Sequence, residues 1–277
     1  EKLKLKKTFL EKEYRLRSHR HRILHFPRGM ILDRKGYPLA ISTRSESLWI
    51  DPDAFINKAP LIQRLGLYEK LNLSFNETEA SLKRAFKRRL QFKYLKRVLN
   101  PKFVEEVMQQ KIAGVNRQVV YRRYYPQGEE IAPLLGFTNI DDEGQEGLEL
   151  KFNSRLRAKA TEEYWVQDAK HHMIAQTAVK PGRLGDNIQL TIDQTLQYLA
   201  YHAVAKGVRL SHAARGAAIV VAAKTGEVLA VANYPSFNPN NALVARGENY
   251  KNRAFTDNFE PGSTIKPFSF LKILLAN

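Results

Sequence analysis

The spacing of apolar positions changes several times along the chain, and each change predicts an element. Arg28-Gly29-Met30-Ile31-Leu32, then Asp33-Arg34-Lys35-Gly36, then Leu39-Ala40-Ile41 and Ser47-Leu48-Trp49-Ile50 read as a hairpin, with Asp ahead of Gly supplying the turn chemistry. Leu82, Phe86 and Leu90 recur every fourth residue behind Asn76 and Glu79, which are spaced as a capping box, so a helix is expected over about 77–90. Phe92 and Tyr94 alternate with Lys93 and Leu95 as on a strand. Ile188-Gln189-Leu190-Thr191-Ile192 alternates too, and Asp193 is placed to cap a helix over about 194–206. Ala217-Ala218-Ile219-Val220-Val221 and Val228-Leu229-Ala230-Val231 flank Lys224-Thr225-Gly226-Glu227, the pattern of a buried hairpin. Pro181-Gly182-Arg183-Leu184-Gly185 reads as a flexible linker, which divides the chain into 1–185 and 186–277. The fold class expected is α+β.

At 277 residues with 43% hydrophobic content the chain has room for about two domains with cores of their own. Forty-five Lys and Arg against 28 Asp and Glu give a net charge of +17, which makes anionic surroundings such as nucleic acid or a lipid surface worth testing. The absence of cysteine excludes a disulfide framework, thiolate zinc and a Cys nucleophile. No window approaches the ~18 consecutive apolar residues of a spanning helix, and no signal peptide is apparent. The chain opens at Glu1 rather than Met and closes in the apolar run 268–276, so it reads as a piece of something longer. Residues 1–25 carry nine Lys and Arg, a solvated basic segment or one lying beside anionic lipid. Between Ser81 and Lys102 stand nine more and no acid, with Phe86, Phe92 and Tyr94 among them; core aromatics beneath snorkelling cations explain this better than a nucleic-acid surface. No metal site is expected: Asp141-Asp142-Glu143-Gly144 lacks the alternating ligands of a calcium loop, and the pairs His19/His21 and His171/His172 have no carboxylate at ligand spacing.

Candidate chemistry appears near the end, in Phe259-Glu260-Pro261-Gly262-Ser263-Thr264-Ile265-Lys266. If Pro-Gly turns the chain into a helix beginning at Ser263, then Ser263 and Lys266 sit at i and i+3, about 5–6 Å apart at Cβ. A serine hydroxyl is a weak nucleophile unless a neighbouring base takes its proton, and a lysine shielded from water can serve as that base. The spacing alone is weak, since Ser269 and Lys272 repeat it without a turn before them. Pro267, tolerated only in a first turn, favours the earlier pair.

Several blocks, in order, span nearly the whole chain: Arg28-Gly29-Met30-Ile31-Leu32-Asp33-Arg34; Arg122-Arg123-Tyr124-Tyr125-Pro126-Gln127-Gly128; Gly136-Phe137-Thr138-Asn139 with Gly144-Gln145-Glu146-Gly147-Leu148-Glu149; and 260–267. In these blocks the chain resembles a class B penicillin-binding protein, most closely the division-specific D,D-transpeptidases of FtsI type. The resemblance implies an elongated mixed pedestal domain over 1–185 and the first, incomplete part of a penicillin-binding transpeptidase domain over 186–277. It implies Ser263 as the acylated nucleophile and Lys266 as its base, with no cofactor and no metal. Its Ser-x-Asn and Lys-Thr-Gly motifs would lie beyond residue 277, leaving Lys224-Thr225-Gly226 as a chance match in a turn. Arg28 is implied to pair with Glu146 and Glu149 in a structural role. The partners implied are the stem pentapeptide of peptidoglycan, β-lactams, a lipid-linked glycan polymerase, other division proteins and, through a helix this chain lacks, the membrane, but no nucleic acid. The place implied is the periplasmic face of the bacterial inner membrane at the division septum. Residues 1–277 alone are expected to be inactive, and the alternative is a non-enzymatic interaction module of the division complex. Exposure of Phe268, Phe270, Leu271, Ile273, Leu274 and Leu275 is also expected.

Overall fold

A computed structural model describes residues 19–167, 173–241 and 250–275. The first hairpin forms, from β2 (Ile31–Leu32) and β3 (Pro38–Ile50), and the two apolar runs after its turn belong to one 13-residue strand. Central position explains that length. Residues 41–50 of β3 pair antiparallel with β5 (Val115–Tyr124), and residues 46–50 pair antiparallel with β4 (Lys93–Leu99). Ile31 and Leu32 also pair in parallel with β8 (Ile188–Gln189). Helices α1 (Pro52–Lys58), α2 (Leu61–Lys70), α3 (Phe75–Lys87) and α4 (Pro101–Gln109) supply apolar side chains to a core shared with β3. In α1 and α4 the start is written locally: Asp51 and Asn100 accept amide hydrogen bonds from the first turn, and a proline follows each.

The capping box expected at α3 does not form. Ser74 is the N-cap, without a side-chain bond, and Glu79 turns inward, where it accepts from Arg64 Nη1 at 2.9 and 3.1 Å and from the Tyr68 hydroxyl at 2.9 Å. The first-turn amides can bond water instead, whereas a buried carboxylate needs these partners. The helix stops at Lys87 rather than at 90 because Arg89 takes the left-handed conformation, φ 55°, that glycine usually supplies. Arg89 N–H then bonds to the Phe86 carbonyl and Leu90 N–H to that of Ala85, closing the helix end.

β1 (His19–Leu24), β6 (Thr161–Gln167) and β7 (Met173–Lys180) make a second, antiparallel sheet. The end of the basic segment, His19–Leu24, thus forms a strand; residues 1–18, and His171 and His172, lie outside the described residues. Nor is 181–185 a loose linker. Lys159 and Arg183 exchange both backbone hydrogen bonds, and a Cβ on Gly185 would stand 1.9 Å from the Leu156 carbonyl oxygen, one on Gly182 2.3 Å from that of Lys159. Glycine is there for close backbone approach.

The chain divides into two compact units, one formed by residues up to Pro126 with Leu135–Leu190, the other by Gln127–Leu134 with the residues from Thr191 onward. In the second, Asp193 caps α5 (Gln194–Leu210) by accepting from the amides of Thr195 and Leu196. α5 packs on the antiparallel pair β9 (Gly216–Val221) and β10 (Val228–Tyr234). The buried Gln197 side chain satisfies both backbone groups of Val231 and donates to the Glu130 carbonyl. The hairpin is not buried throughout: residues 230–233 of β10 are, but on β9 Ile219 and Val221 are 40% and 50% exposed.

Candidate active site

The approach to Ser263 is anchored from β10. Asn233, a polar residue 1% exposed in an otherwise apolar strand, donates to Asn252 Oδ1 at 3.0 Å and accepts from the Ala254 amide at 2.8 Å. These bonds fix the start of a helical turn, Arg253–Thr256. Arg253 and Arg215 then hold Asp257 at 3.0 and 3.3 Å, and the Arg253 bond first of all keeps its carboxyl below the usual range.

Beyond it the chain turns at Gly262, whose φ of 55° suits glycine, although space around its Cα is open. Gly262–Ile265 is a turn of 3₁₀-helix and α6 (Lys266–Leu275) follows directly. The expected α-helix starting at Ser263 is thus displaced to Lys266, for a local reason. In an α-helix the Ser263 carbonyl would take the amide of residue 267, but Pro267 has none, so it takes the Lys266 N–H instead. The Thr264 amide and hydroxyl both donate to the Pro261 carbonyl. In such a turn side chains three apart eclipse, which puts Ser263 and Lys266 on one side of it. Both are exposed, as is every residue of α6. Ser269 and Lys272 lie farther along α6, and Lys224-Thr225-Gly226 forms the turn between β9 and β10.

A second polar cluster is entirely within the first unit. Arg28 Nε donates to Glu149 Oε2 at 2.7 Å and Arg123 Nε to Oε1 at 2.6 Å, all three side chains being essentially excluded from solvent. Arg28 also donates to Asn153 Oδ1 and to the carbonyls of Asp142 and Glu149, and Arg123 to that of Gly29. The expected partner Glu149 is present; Glu146 instead offers its backbone carbonyl to the Leu150 amide and lies against Gly136, where a Cβ would come within 1.8 Å of it. Sequence reasoning missed Arg123, although it stands in one of the blocks that carry the family resemblance, and missed Asn233, whose only signal was polarity within a strand. Burial, then Glu149, pushes the Tyr125 hydroxyl far above the ordinary phenol range. Burial also raises the Asp142 carboxyl to about 6, against the pull of Arg28 and Arg123. This cluster joins four separate stretches of chain. Among the described residues no group of three or more His, Asp or Glu is arranged to hold a metal ion, and no helix is long and apolar enough to cross a membrane.

Residues 24–190 match the model of the penicillin-binding protein dimerisation domain and 216–277 that of the penicillin-binding protein transpeptidase domain. The chain is 37% identical over 268 residues to the peptidoglycan D,D-transpeptidase FtsI of Escherichia coli, covering 96% of this chain and 45% of that protein. It is 38% identical over 264 residues to the probable peptidoglycan D,D-transpeptidase PbpC of Pseudomonas aeruginosa, covering 94% and 46%. It therefore spans about half the length of the curated relatives it matches. A peptidoglycan synthetase from Bifidobacterium adolescentis shares the fold at a TM-score of 0.60 and 23% identity, over 88% of this chain and 48% of that one. Penicillin binding protein 2X from Streptococcus thermophilus does so at the same score and identity, over 89% and 40%. With the dimerisation model matched over more than half its length and a transpeptidase model beginning behind it, the chain belongs to the class B penicillin-binding proteins of FtsI type.

Proposed function

We propose that the chain is the pedestal and the opening part of the catalytic domain of a septal peptidoglycan D,D-transpeptidase, with Ser263 as nucleophile and Lys266 as its base. The observation that carries this is the glycine-initiated 3₁₀ turn, which sets the two residues three apart at the head of a helix in a chain of this family. Ser263 Oγ attacks the carbonyl between the two terminal D-Ala residues of a stem pentapeptide while Lys266 takes its proton; the C–N bond breaks and D-Ala leaves with a proton. An amine from a neighbouring stem then attacks the acyl-serine ester, forming the cross-link and freeing the hydroxyl. A β-lactam acylates the same oxygen because its strained ring offers a similar carbonyl. The site works at the periplasmic face of the inner membrane during division, beside a lipid-linked glycan polymerase and other division proteins.

Exposure of Ser263 and Lys266 supports a second statement, that residues 1–277 alone are inactive and act as an interaction module. An oxyanion hole needs a second amide besides that of Ser263, and losing one such donor costs about 100-fold or more in rate. Covalent labelling by a fluorescent penicillin tests both statements. In a protein with a complete transpeptidase domain, Ser263→Ala is expected to abolish labelling and Ser269→Ala to leave it within about tenfold, while residues 1–277 alone stay unlabelled. Lys266→Arg is expected to fail nearly as badly as Lys266→Ala, because a guanidinium cannot accept the proton. Equal labelling of the two serine variants overturns the assignment.

A further inference from the structure

The aromatics expected as core beneath the basic run at 81–102 are not buried: Phe86 and Phe92 are 38% and 42% exposed, and Phe92 packs against Trp49 and Tyr94, so a buried aromatic layer does not account for that run. Ser81, Arg84, Arg88 and Lys93 line a hollow of about 230 Å³ together with Ala85 and Leu90, and no acidic residue lines it. Arg84 and Arg88 are four apart, so they rise from the same face at the end of α3, while Lys93 reaches in from β4 and donates to the Ser81 hydroxyl. Among the described residues Arg84, Arg88 and Lys93 have no carboxylate partner, although Arg64, Arg97 and Arg117 nearby in sequence each have one.

A simpler account would have these cations cap the carbonyls of the helix end. Those carbonyls are already engaged, since the Arg88, Arg89 and Leu90 amides bond to those of Arg84, Phe86 and Ala85. The negative helix end amounts to roughly half a charge, against three full positive charges around the hollow, so the net field favours an anion. Burial and then the charge of Arg84 hold the Lys93 ammonium below its usual range, a penalty that an anion between them would relieve.

We propose that Ser81, Arg84, Arg88 and Lys93 form a binding site for a phosphate-class oxyanion. Two guanidinium forks and an ammonium approaching from separate elements match a tetrahedral group with several acceptor oxygens better than a planar carboxylate with two. The same chemistry is presented by free phosphate compounds and by the phosphodiester of an anionic lipid headgroup.

The experiment titrates the full chain at low salt with two probes, inorganic pyrophosphate and vesicles of phosphatidylglycerol in phosphatidylcholine. The Arg84→Gln/Arg88→Gln variant is compared with Lys83→Gln/Lys87→Gln, which removes as much charge from the same helix outside the hollow. All four side chains are exposed, and matching thermal melts verify that both variants remain folded. At least one probe is expected to bind saturably and to lose about tenfold or more in affinity in the Arg84/Arg88 variant, with a change below about threefold in the control. Pyrophosphate binding assigns the site to soluble phosphates, and vesicle binding alone assigns it to a headgroup. Saturation by neither probe, or equal loss in the two variants, overturns the proposal.

Discussion

In the first unit Phe55, Leu67, Leu71 and Leu82 are at most 1% exposed, whereas on α6 Phe268, Phe270 and Leu275 stand 68%, 64% and 79% exposed. The two sets of residues are equally apolar; what differs is cover. Helices α1 to α4 close over β3, and two buried carboxylates of this unit are paired, Glu79 with Arg64 and Tyr68 and Glu149 with Arg28 and Arg123. α6 buries none of its residues. Burying a side chain of this size is worth about 1.5–3 kcal/mol, so the six large apolar residues of α6 forgo stabilisation comparable with a domain's whole margin of about 5–15 kcal/mol. A ten-residue helix gains little from propensity alone, so an apolar sequence makes a helix durable only where something packs on it.

The largest expected effect is in hydrogen exchange on the isolated monomeric chain. Amides of α6 should exchange at least about a thousandfold faster than those of the β3–β5 ladder, and slow exchange throughout 263–275 would erase the contrast. Next is Glu149→Gln, which leaves two buried guanidinium groups facing a neutral amide. A loss of about 3–5 kcal/mol is expected in denaturant unfolding of the first unit, with an effect below about 1 kcal/mol contradicting the role given to the cluster.

A smaller loss, about 1–3 kcal/mol, is expected for Asn233→Ala, which strands the Ala254 amide. It should appear as faster exchange over 252–257 with the first unit unchanged, and so shows whether the second unit's polar anchoring is as local as its geometry.

The smallest effect is one of pH. The Asp142 carboxyl titrates near 6 in the folded chain and near 3.8 when unfolded, so folding favours its protonated form. The stability this group contributes is complete below about pH 3.8 and is lost as pH rises through about 6. Asp142→Asn, which also suits the positive φ of 61° there, should flatten the decline in stability between about pH 4 and pH 6 by on the order of 1 kcal/mol, the group being half-buried. Parallel pH profiles for the two proteins would rule this out.

Local chemistry makes several elements legible in the sequence. Asp33 and Gly36 mark the first turn and Asp193 the start of α5, because turns and N-caps are bonds between neighbours along the chain. Helix ends are harder to place, because Asn72, Arg89, Lys111 and His212 occupy left-handed positions where a glycine would have announced the stop. The Pro261-Gly262 turn and the Ser263–Lys266 spacing are written in six consecutive residues, so that candidate site can be read as well. Even there the shift of the α-helix to Lys266 turns on an amide that Pro267 lacks.

What depends on near neighbours was thus set by the residues alone: the hairpins, the capped helix starts, the serine turn and the ordered blocks that mark the family. Folding in three dimensions was needed to pair Glu79 with Arg64 and Tyr68 instead of a helix cap, to make Arg123 share Glu149 with Arg28, to pack Gly182 and Gly185 against neighbouring backbone, and to bring Arg84, Arg88 and Lys93 to one hollow. The cause is the same in each case. A charge or a close backbone contact takes its partner from whatever the fold brings within a few ångströms, and residues 26 or 121 positions apart carry no local trace of that meeting.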